Sequence, residues 1–218
     1  MLAYKFYPAK YAIEALKKQR LKVSPIDELN DPFEYLSIDM GEKDIRSWAR
    51  EFRKFVSDGN GIISFSEYWT EPLLWSHYAD SHRGIALGFD IPDYLLYSID
   101  YISKRIMPPL DVDENLCSMH KLVEQLLGAK HKNWEYEREV RLVRPLKNCI
   151  SNNGLFFAPL NHTTVLKKVI LGARYTSQND EMLQISLENN SVEIITSRAE
   201  FTGFKMTPQK RKDLQKKL

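Results

Sequence analysis

The sequence predicts an α+β fold, a single compact domain whose mixed, mainly antiparallel sheet is packed by helices. Several short segments alternate apolar and polar residues, which is typical of strands. Other segments carry apolar residues at the spacing of one helical face. The two kinds of segment are mixed without strict alternation, which favours α+β over a doubly wound sheet. The 218 residues fit one domain, 1–218, that ends in a basic tail, 207–218.

The composition is that of an ordinary globular protein. Lys and Arg total 31 against 29 Asp and Glu, and the formal charge of +2 by itself indicates neither a nucleic-acid-binding nor a membrane-surface protein. We interpret the basic tail as a solvated terminal helix. No stretch approaches the roughly 18 apolar residues of a membrane span, and the N-terminus lacks the apolar core of a signal peptide. Cys117 and Cys149 form no C-x-x-C pair, so we expect reduced thiols in a cytoplasmic protein.

The first third of the chain contains two predicted strands and two predicted helices. Alternation predicts a strand over 2–7, and an amphipathic segment with a basic end predicts a helix over 11–21. Residues 21–36 read as a loop, because two prolines bias their preceding residues away from helix. Apolar spacing predicts a helix over 41–55, and the strand "IISFS", 62–66, follows a Gly-rich break.

In the middle of the chain, a helix is predicted to begin at Thr70 as its N-cap and to end at Gly84. Strands are predicted over 85–92 and 99–102, and a long amphipathic helix over 113–132.

The last third begins with a predicted strand over 134–143. Short strands are predicted over 155–160, 166–172 and 191–197, and a helix over 177–190 separates the last two.

Several common enzyme motifs are missing. The sequence has no phosphate-binding P-loop, no G-x-G-x-x-G turn, no H-E-x-x-H and no G-x-S-x-G. The corresponding enzyme classes lose support.

The strongest chemical signal is the stretch "KHKNWEYEREVRLV". On a strand, alternate side chains share a face, so one face would carry Glu135, Glu137, Glu139 and Arg141. The opposite face would be mostly apolar. One interpretation is an exposed strand face with a weak surface ion pair. The other is a cleft, where the repulsion between carboxylates is offset by Arg141 and the pair stabilises an oxocarbenium ion, holds ribose hydroxyls or binds a metal.

Two further groups of polar residues could join such a cleft. In "ELNDPFE", Asn30, Asp31 and Glu34 surround a proline, and turn formation explains the first two as well as a binding role does. In "SFSEYWTEPLLWSHYADSHRG", polar and aromatic side chains crowd a strand end and a helix. The candidates there are Ser64, Ser66, Trp75, His77, Tyr78, Asp80, His82 and Arg83.

Within that second group, Trp75 and Tyr78 are three residues apart, a spacing that also fits ordinary core packing. The first strand offers Tyr4, Lys5 and Tyr7, which suit a base or a phosphate and equally an ordinary packed strand.

Taken in order and spacing, five segments resemble the prokaryotic domain-of-unknown-function family numbered 2971. They are "YKFYP", "LNDPFE", "SFSEYWTEPLLWSHYADSHRGIALGFD", "KNWEYEREVRLV" and "LKKVILGARYT", and the likeness covers residues 2–176. The resemblance implies an uncharacterised bacterial protein, and some members of that family are encoded near phage-defence or toxin genes.

A looser resemblance is to the ADP-ribosyltransferase fold, which implies NAD as substrate. In that scheme Lys5 or Tyr7 contacts the dinucleotide, and Ser64 or Ser66 takes the second-strand position. Glu137 and Glu139 match the E-x-E motif; one stabilises the oxocarbenium-like transition state and the other orients the acceptor. The sequence departs from the fold's pattern on the first strand, where Lys5 is a weaker phosphate clamp than arginine.

These observations leave three functional hypotheses. The first is an NAD-consuming transferase or glycohydrolase with Glu137, Glu139 and Arg141 as catalytic residues and a protein or nucleic-acid acceptor. Its expected substrate-binding residues are Tyr4, Lys5, Tyr7, Asn30, Asp31, Ser64, Ser66, Trp75, His77 and Tyr78.

The second hypothesis is a metal-dependent nuclease with carboxylate ligands from Asp31, Glu34, Asp80, Glu137 and Glu139. The third is a non-enzymatic binding or sensor module. The combined motifs favour the cleft, with Glu135 left in solvent, and no residue is assigned as a metal ligand.

Overall fold

The architecture is built on one large sheet of eleven strands, with a second sheet of two strands beside it. A computed structural model describes residues 1–29, 33, 37–57, 59–106, 128–176, 181, 183–184 and 192–215. The described α-helices are α1 (Ala9–Lys17), α2 (Lys43–Ser57) and α3 (Pro72–Tyr78). The strands are β1 (Leu2–Tyr7), β2 (Arg20–Pro25), β3 (Asn60–Ser66), β4 (Ile85–Asp90), β5 (Leu96–Ser98), β6 (Asp100–Ile102), β7 (Ala129–His131), β8 (Glu139–Pro145), β9 (Ile150–Asn152), β10 (Leu155–Pro159), β11 (Val165–Leu171), β12 (Glu193–Ala199) and β13 (Met206–Pro208). Short 3-10 helices lie at Ile26–Glu28, Asp93–Leu95, Lys132–Glu137, Leu146–Asn148 and Lys212–Leu214.

The strand order of the large sheet is β13-β12-β11-β4-β1-β3-β2-β10-β9, and β8 pairs with β3 and with β5. Within this sheet β11 and β12 are parallel, and the other described pairs are antiparallel. β6 and β7 form the small parallel sheet. The structure confirms the predicted α+β domain with a mixed, mainly antiparallel sheet packed by helices.

The apolar core lies on both sides of β1. Because strand side chains alternate, Ala3 faces a cluster that includes Leu16 of α1, whereas Tyr4 faces a second cluster that includes Trp75 of α3. Burying each large apolar side chain contributes about 1.5–3 kcal/mol. Packing on both faces therefore holds β1 in place at the centre of the sheet.

A gap opens in the sheet along one edge of β3. β1 reaches this edge only at the C-terminal end of β3, where Tyr4 pairs with Ser66. β2 reaches it only near the other end, where Ser24 pairs with Ile62. Between those two contacts neither strand continues the described ladder, and the side chain of Lys5 enters the gap to donate from Nζ to the Ser64 carbonyl oxygen at 3.1 Å.

Most predicted elements agree with the structure, but residues 21–25 form β2 and not a loop. Leu21 and Val23 of this strand are buried in the core, and this burial outweighs the effect of the proline that follows. At the N-terminus of α3 the cap is Glu71, one residue after the predicted Thr70, and its carboxylate accepts from the Leu73 amide at 3.0 Å. This helix ends at Tyr78 and not at the predicted Gly84, because residues 80–82 have positive φ angles that do not continue a helix. Helix α1 ends at Lys17 and not at the predicted residue 21, which belongs to β2.

The prediction was also wrong around the acidic segment. Residues 132–137 form a 3-10 helix and not the start of a strand, and β8 begins only at Glu139. Residues 129–131 are β7, where the sequence predicted the end of a helix. Residues 113–127 of that helix lie outside the described residues, as does most of the helix predicted over 177–190, of which 181, 183 and 184 are described and helical.

The basic tail does not begin as a solvated helix. Thr207 and Pro208 belong to β13, which pairs with β12, and only Lys212–Leu214 is helical in the described part of the tail. Pairing of the Thr207 and Pro208 backbone with β12 explains why a strand replaces the predicted helix there.

The close packing of β1 against β4 leads to a stability prediction at Gly84. A Cβ at this position would overlap the carbonyl oxygen of Tyr7 and the backbone of Ala79. We expect Gly84→Ala to lower the free energy of unfolding by about 2 kcal/mol or more in urea titrations, since backbone must move to make room. Gly128→Ala is the control, because its Cβ would lie at an ordinary 3.6 Å from the Ser98 oxygen. Equal stability of the two variants would contradict the close packing at Gly84.

Candidate functional site

A pocket of about 370 Å³ opens at the gap between β1, β2 and β3. We call it the central pocket. Its lining combines acids, cations, hydroxyls and aromatic rings, a mixture typical of ligand sites. The lining residues are Tyr4, Lys5, Phe6, Lys22, Ser24, Glu28, Leu29, Ser64, Phe65, Ser66, Leu74, Tyr78, Lys130, Glu137 and Glu139.

Two buried glutamates share one buried lysine in the wall of the central pocket. The ammonium of Lys130 lies 2.5 Å from Oε2 of Glu137 and 2.9 Å from Oε2 of Glu139. Each of the three side chains is less than a tenth exposed. The lysine therefore offsets the repulsion that two neighbouring carboxylates would suffer away from water.

Glu139 is also held by a buried arginine. Arg141 Nε donates to Oε1 at 2.8 Å and Nη2 donates to Oε2 at 3.1 Å, a two-point contact between guanidinium and carboxylate. Burial alone would raise the pKa of Glu139, but the charge and hydrogen bonds of Arg141, with Lys130 and a hydrogen bond from Ser64, hold that pKa well below its ordinary value. Glu139 is ionised throughout the neutral range.

The register of β3 against β8 explains this arrangement. Ser66 lies opposite Glu139, and Ser64 lies opposite Arg141. In an antiparallel pair, opposed residues and their neighbours two positions away point to the same face. The hydroxyls and charges thus face one way, while Phe65 and Val140 enter the core on the other side.

Glu137 reaches the same place from the end of a 3-10 helix. Arg138, which follows it, has φ 43° and ψ 52°, a left-handed conformation that costs a non-glycine residue about 1–2 kcal/mol. This residue reverses the chain between the two glutamates. Ser66 Oγ fixes the turn by donating to the Glu137 carbonyl oxygen at 2.6 Å. A locally unfavourable backbone is a common feature of functional sites.

The small sheet positions Lys130. In the parallel pair of β6 and β7, Tyr101 lies opposite Lys130. The Tyr101 hydroxyl accepts from the Glu139 amide at 2.7 Å, and burial is the main reason that its pKa is raised to about 12. The Lys130 ammonium also lies 5.0 Å from the centre of the Trp134 ring. Sequence reasoning missed Lys130, although two buried glutamates imply more positive charge than Arg141 supplies.

Tyr78 forms the opposite wall and donates from its hydroxyl to Glu137 Oε1 at 2.6 Å. Burial, followed by the hydrogen bond to Glu137, raises the pKa of Tyr78, so it stays a donor at physiological pH. Trp75 fixes α3 beneath it: the indole is fully buried, donates to the Trp69 carbonyl oxygen at 2.6 Å and packs edge-on against Phe6 at 5.2 Å.

Two lysines add positive charge to the lining of the central pocket. Burial, partly opposed by the charge of Glu139, lowers the pKa of Lys5 to about 8. Lys22 is exposed on β2. A phosphate group would therefore meet Lys22 on the exposed side of the pocket.

The structure brings together seven of the residues that the sequence predicted. Those that line the central pocket are Tyr4, Lys5, Ser64, Ser66, Tyr78, Glu137 and Glu139. Arg141 lies behind Glu139 and is 2% exposed, so it orients the carboxylate without facing the pocket. Glu135 is exposed, as expected.

Other predicted residues lie elsewhere. Trp75 belongs to the core and His77 is exposed, with its ring 6.3 Å from that of Tyr136. Tyr7 shares the strand face of Lys5 but lines a neighbouring cavity further along β1. Asp80 is exposed beside Arg83. Asn30, Asp31 and Glu34 lie outside the described residues.

The donor set does not favour a metal ion. A divalent cation bound by both glutamates would have to replace the ammonium of Lys130, which already occupies the position between them. Among the described residues no group of three His, Cys, Asp or Glu side chains is arranged to hold a metal.

Comparisons with protein-family models, with curated proteins and with solved structures found no match. None of the described helices combines the length and apolar character needed to cross a membrane.

The shared lysine gives a direct stability prediction. Lys130→Met removes the common partner of two buried carboxylates, and we expect a loss of about 3–5 kcal/mol in the free energy of unfolding. Lys132→Met is the matched control, since Lys132 is exposed two residues away. If urea titrations give the two variants the same stability, Lys130 does not stabilise the glutamate pair.

The lowered pKa of Glu139 predicts acid sensitivity. Glu139 stays ionised in the folded protein at pH values where the unfolded chain binds a proton, so its contribution to stability is present above about pH 4.5 and is lost as the pH falls below it. We expect the free energy of unfolding to drop by more than about 1 kcal/mol between pH 5 and pH 3. Carboxyl-carbon NMR provides the residue-level check: protonation of Glu139 in the folded state at or above pH 4.5 would contradict the ion-pair account.

Proposed function

We propose that the central pocket binds NAD and cleaves the bond between nicotinamide and ribose, as an ADP-ribosyltransferase-like enzyme. The observation that carries the proposal is the buried Glu137, which lines a pocket together with tyrosine rings and lysines. A carboxylate in that position suits a reaction in which positive charge develops on a ribose ring. The resemblance of Glu137 and Glu139 to an E-x-E motif supports the same assignment.

Of the two glutamates, Glu137 is the better candidate for contact with the ribose. An ionised carboxylate can accept about four hydrogen bonds. Glu139 already accepts hydrogen bonds from Arg141, Lys130 and Ser64, and these occupy its acceptor positions. Glu137 receives one from Tyr78 and one from Lys130. We therefore assign Glu137 as the catalytic residue, and Glu139 and Arg141 as positioning residues.

In the proposed step the C1′–N bond of NAD breaks, and its electron pair leaves with the nicotinamide nitrogen, which becomes neutral. Glu137 accepts a hydrogen bond from a ribose hydroxyl and stabilises the oxocarbenium-like ribose. A nucleophile then forms the new bond to C1′ and loses its proton to solvent. With water as the nucleophile the products are ADP-ribose, nicotinamide and a proton.

The remaining lining residues suit binding of the substrate. The rings of Tyr4 and Tyr78 offer aromatic surface for the nicotinamide. The exposed Lys22 would attract the phosphates, and Lys5 adds charge from within the gap, although lysine lacks the two-point geometry of arginine. The acceptor, a protein, a nucleic acid or water, would approach from the same opening.

One observation favours a second candidate, a non-enzymatic nucleotide-binding or sensor module. Lys130 neutralises much of the charge on both glutamates, and a carboxylate in an ion pair stabilises a developing cation less well than an unpaired one. The metal-dependent nuclease is the weakest candidate for the same reason, since Lys130 takes the position of the metal. The family resemblance supports a role of this protein in bacterial phage defence or as a toxin.

The experiment is nicotinamide release from NAD by the purified protein, followed by chromatography. We expect release by the wild type and a decrease of about 10²–10³-fold in Glu137→Gln, because the amide removes the negative charge at the transition state. Glu135→Gln is the matched control, since Glu135 is an exposed glutamate in the same 3-10 helix.

Two results would reject the enzyme. If the protein does not bind NAD at millimolar concentration, NAD is not its substrate. If both variants fold, and Glu137→Gln is as active as Glu135→Gln, the carboxylate has no catalytic role. NAD binding without nicotinamide release would favour the binding module.

A further inference from the structure

A second cavity of about 470 Å³ adjoins the central pocket. We call it the side cavity. Its lining includes Tyr7, Tyr11, Glu14, Arg20, Lys22 and Phe157. Lys22 also lines the central pocket, so the two spaces share one wall. The function proposed above makes no use of the side cavity.

The two cavities follow one another along β1 and β2. Arg20, Lys22 and Ser24 leave the same face of β2, because strand side chains alternate. Arg20 and Lys22 line the side cavity, whereas Lys22 and Ser24 line the central pocket. At about 3.3 Å per residue these positions extend over roughly 13 Å. This distance suits an elongated ligand better than two unrelated small ones.

Tyr7 provides an independent indication of a ligand. Its hydroxyl is buried and has no hydrogen-bond partner among the described residues. An unsatisfied buried hydroxyl carries a penalty of about 1–3 kcal/mol, so natural proteins rarely leave one without a role. Burial raises the pKa of Tyr7, and the hydroxyl therefore remains a donor. The Tyr7 side chain lines the side cavity, so an acceptor atom on a ligand would satisfy the hydroxyl once the ring shifts toward that cavity.

The opposite wall of the side cavity carries a buried cation and an aromatic ring. The Arg20 side chain is 10% exposed, and its guanidinium carbon lies 3.7 Å from the centre of the Phe157 ring. Glu14 Oε1 lies 3.9 Å from Arg20 Nη2 and partly balances its charge. The flat guanidinium-aromatic stack offers surface for a planar base, and Lys22 beside it offers a charge for phosphate.

We infer that a single dinucleotide spans both cavities, with its pyrophosphate at Lys22 and its second nucleoside in the side cavity beside Tyr7 and Arg20. The nicotinamide-ribose half would then lie in the central pocket near Glu137. The inference rests on the proposed function for the identity of that first half. It adds a binding site for the second half.

The test is calorimetric titration with ADP-ribose, which contains the second nucleoside and the pyrophosphate but no bond for the reaction to break. We expect Tyr7→Phe to weaken binding about 2–10-fold, the range of one neutral hydrogen bond. We expect a similar or larger loss in Lys22→Met and none in Lys17→Met, an exposed lysine of α1. Folding of Tyr7→Phe is not at risk, because the lost hydroxyl has no described partner. Binding of nicotinamide mononucleotide should be unaffected by Tyr7→Phe.

The outcomes separate this inference from the proposed reaction. ADP-ribose binding that depends on Tyr7 and Lys22, without nicotinamide release from NAD, would support the two-cavity site and reject the reaction. Nicotinamide release with ADP-ribose affinity unchanged in both variants would retain the reaction and overturn the two-cavity site. No ADP-ribose binding at millimolar concentration would also overturn it.

Discussion

The contact of Lys130 with Glu137 and Glu139 is the interaction on which the candidate site depends. Two carboxylates and an ammonium lose most of their hydration here, and only close ionic contacts offset that loss. Removing any one member leaves an uncompensated charge in the wall of the pocket. The surrounding elements can be understood as the means of bringing these three groups together: β7 carries the lysine, a 3-10 helix carries Glu137 and β8 carries Glu139.

The gap in the sheet gives that cluster access to a ligand. A sheet in which β1 and β2 both paired along β3 would cover the pocket-facing side of Ser64 and leave the acids enclosed. Because the two strands meet β3 only at its opposite ends, the space between them is lined by side chains of all three strands. The apolar core on both sides of β1 supports this open arrangement of strands.

Much of the fold and part of the site could be predicted from the sequence. Alternation located β1, apolar runs located β3, β4 and β11, and strand periodicity placed Glu139 and Arg141 on one face of β8. Alternation misled at Glu135–Glu137, because the turn at Arg138 that ends the 3-10 helix depends on tertiary hydrogen bonds from Ser66 and Glu67. Lys130 could not be assigned, because its partner strand β6 is distant in sequence and local spacing says nothing about that pairing.

In the proposed reaction the side chain of residue 137 contacts the ribose of NAD in the gap between β1 and β3. A crystal structure of Glu137→Gln with NAD would reveal this contact, because the variant retains the shape of the side chain and slows turnover. We expect the nicotinamide ribose within hydrogen-bond distance of the substituted side chain, with the pyrophosphate directed toward Lys22. NAD bound elsewhere on the molecule, with the central pocket filled only by solvent, would contradict it.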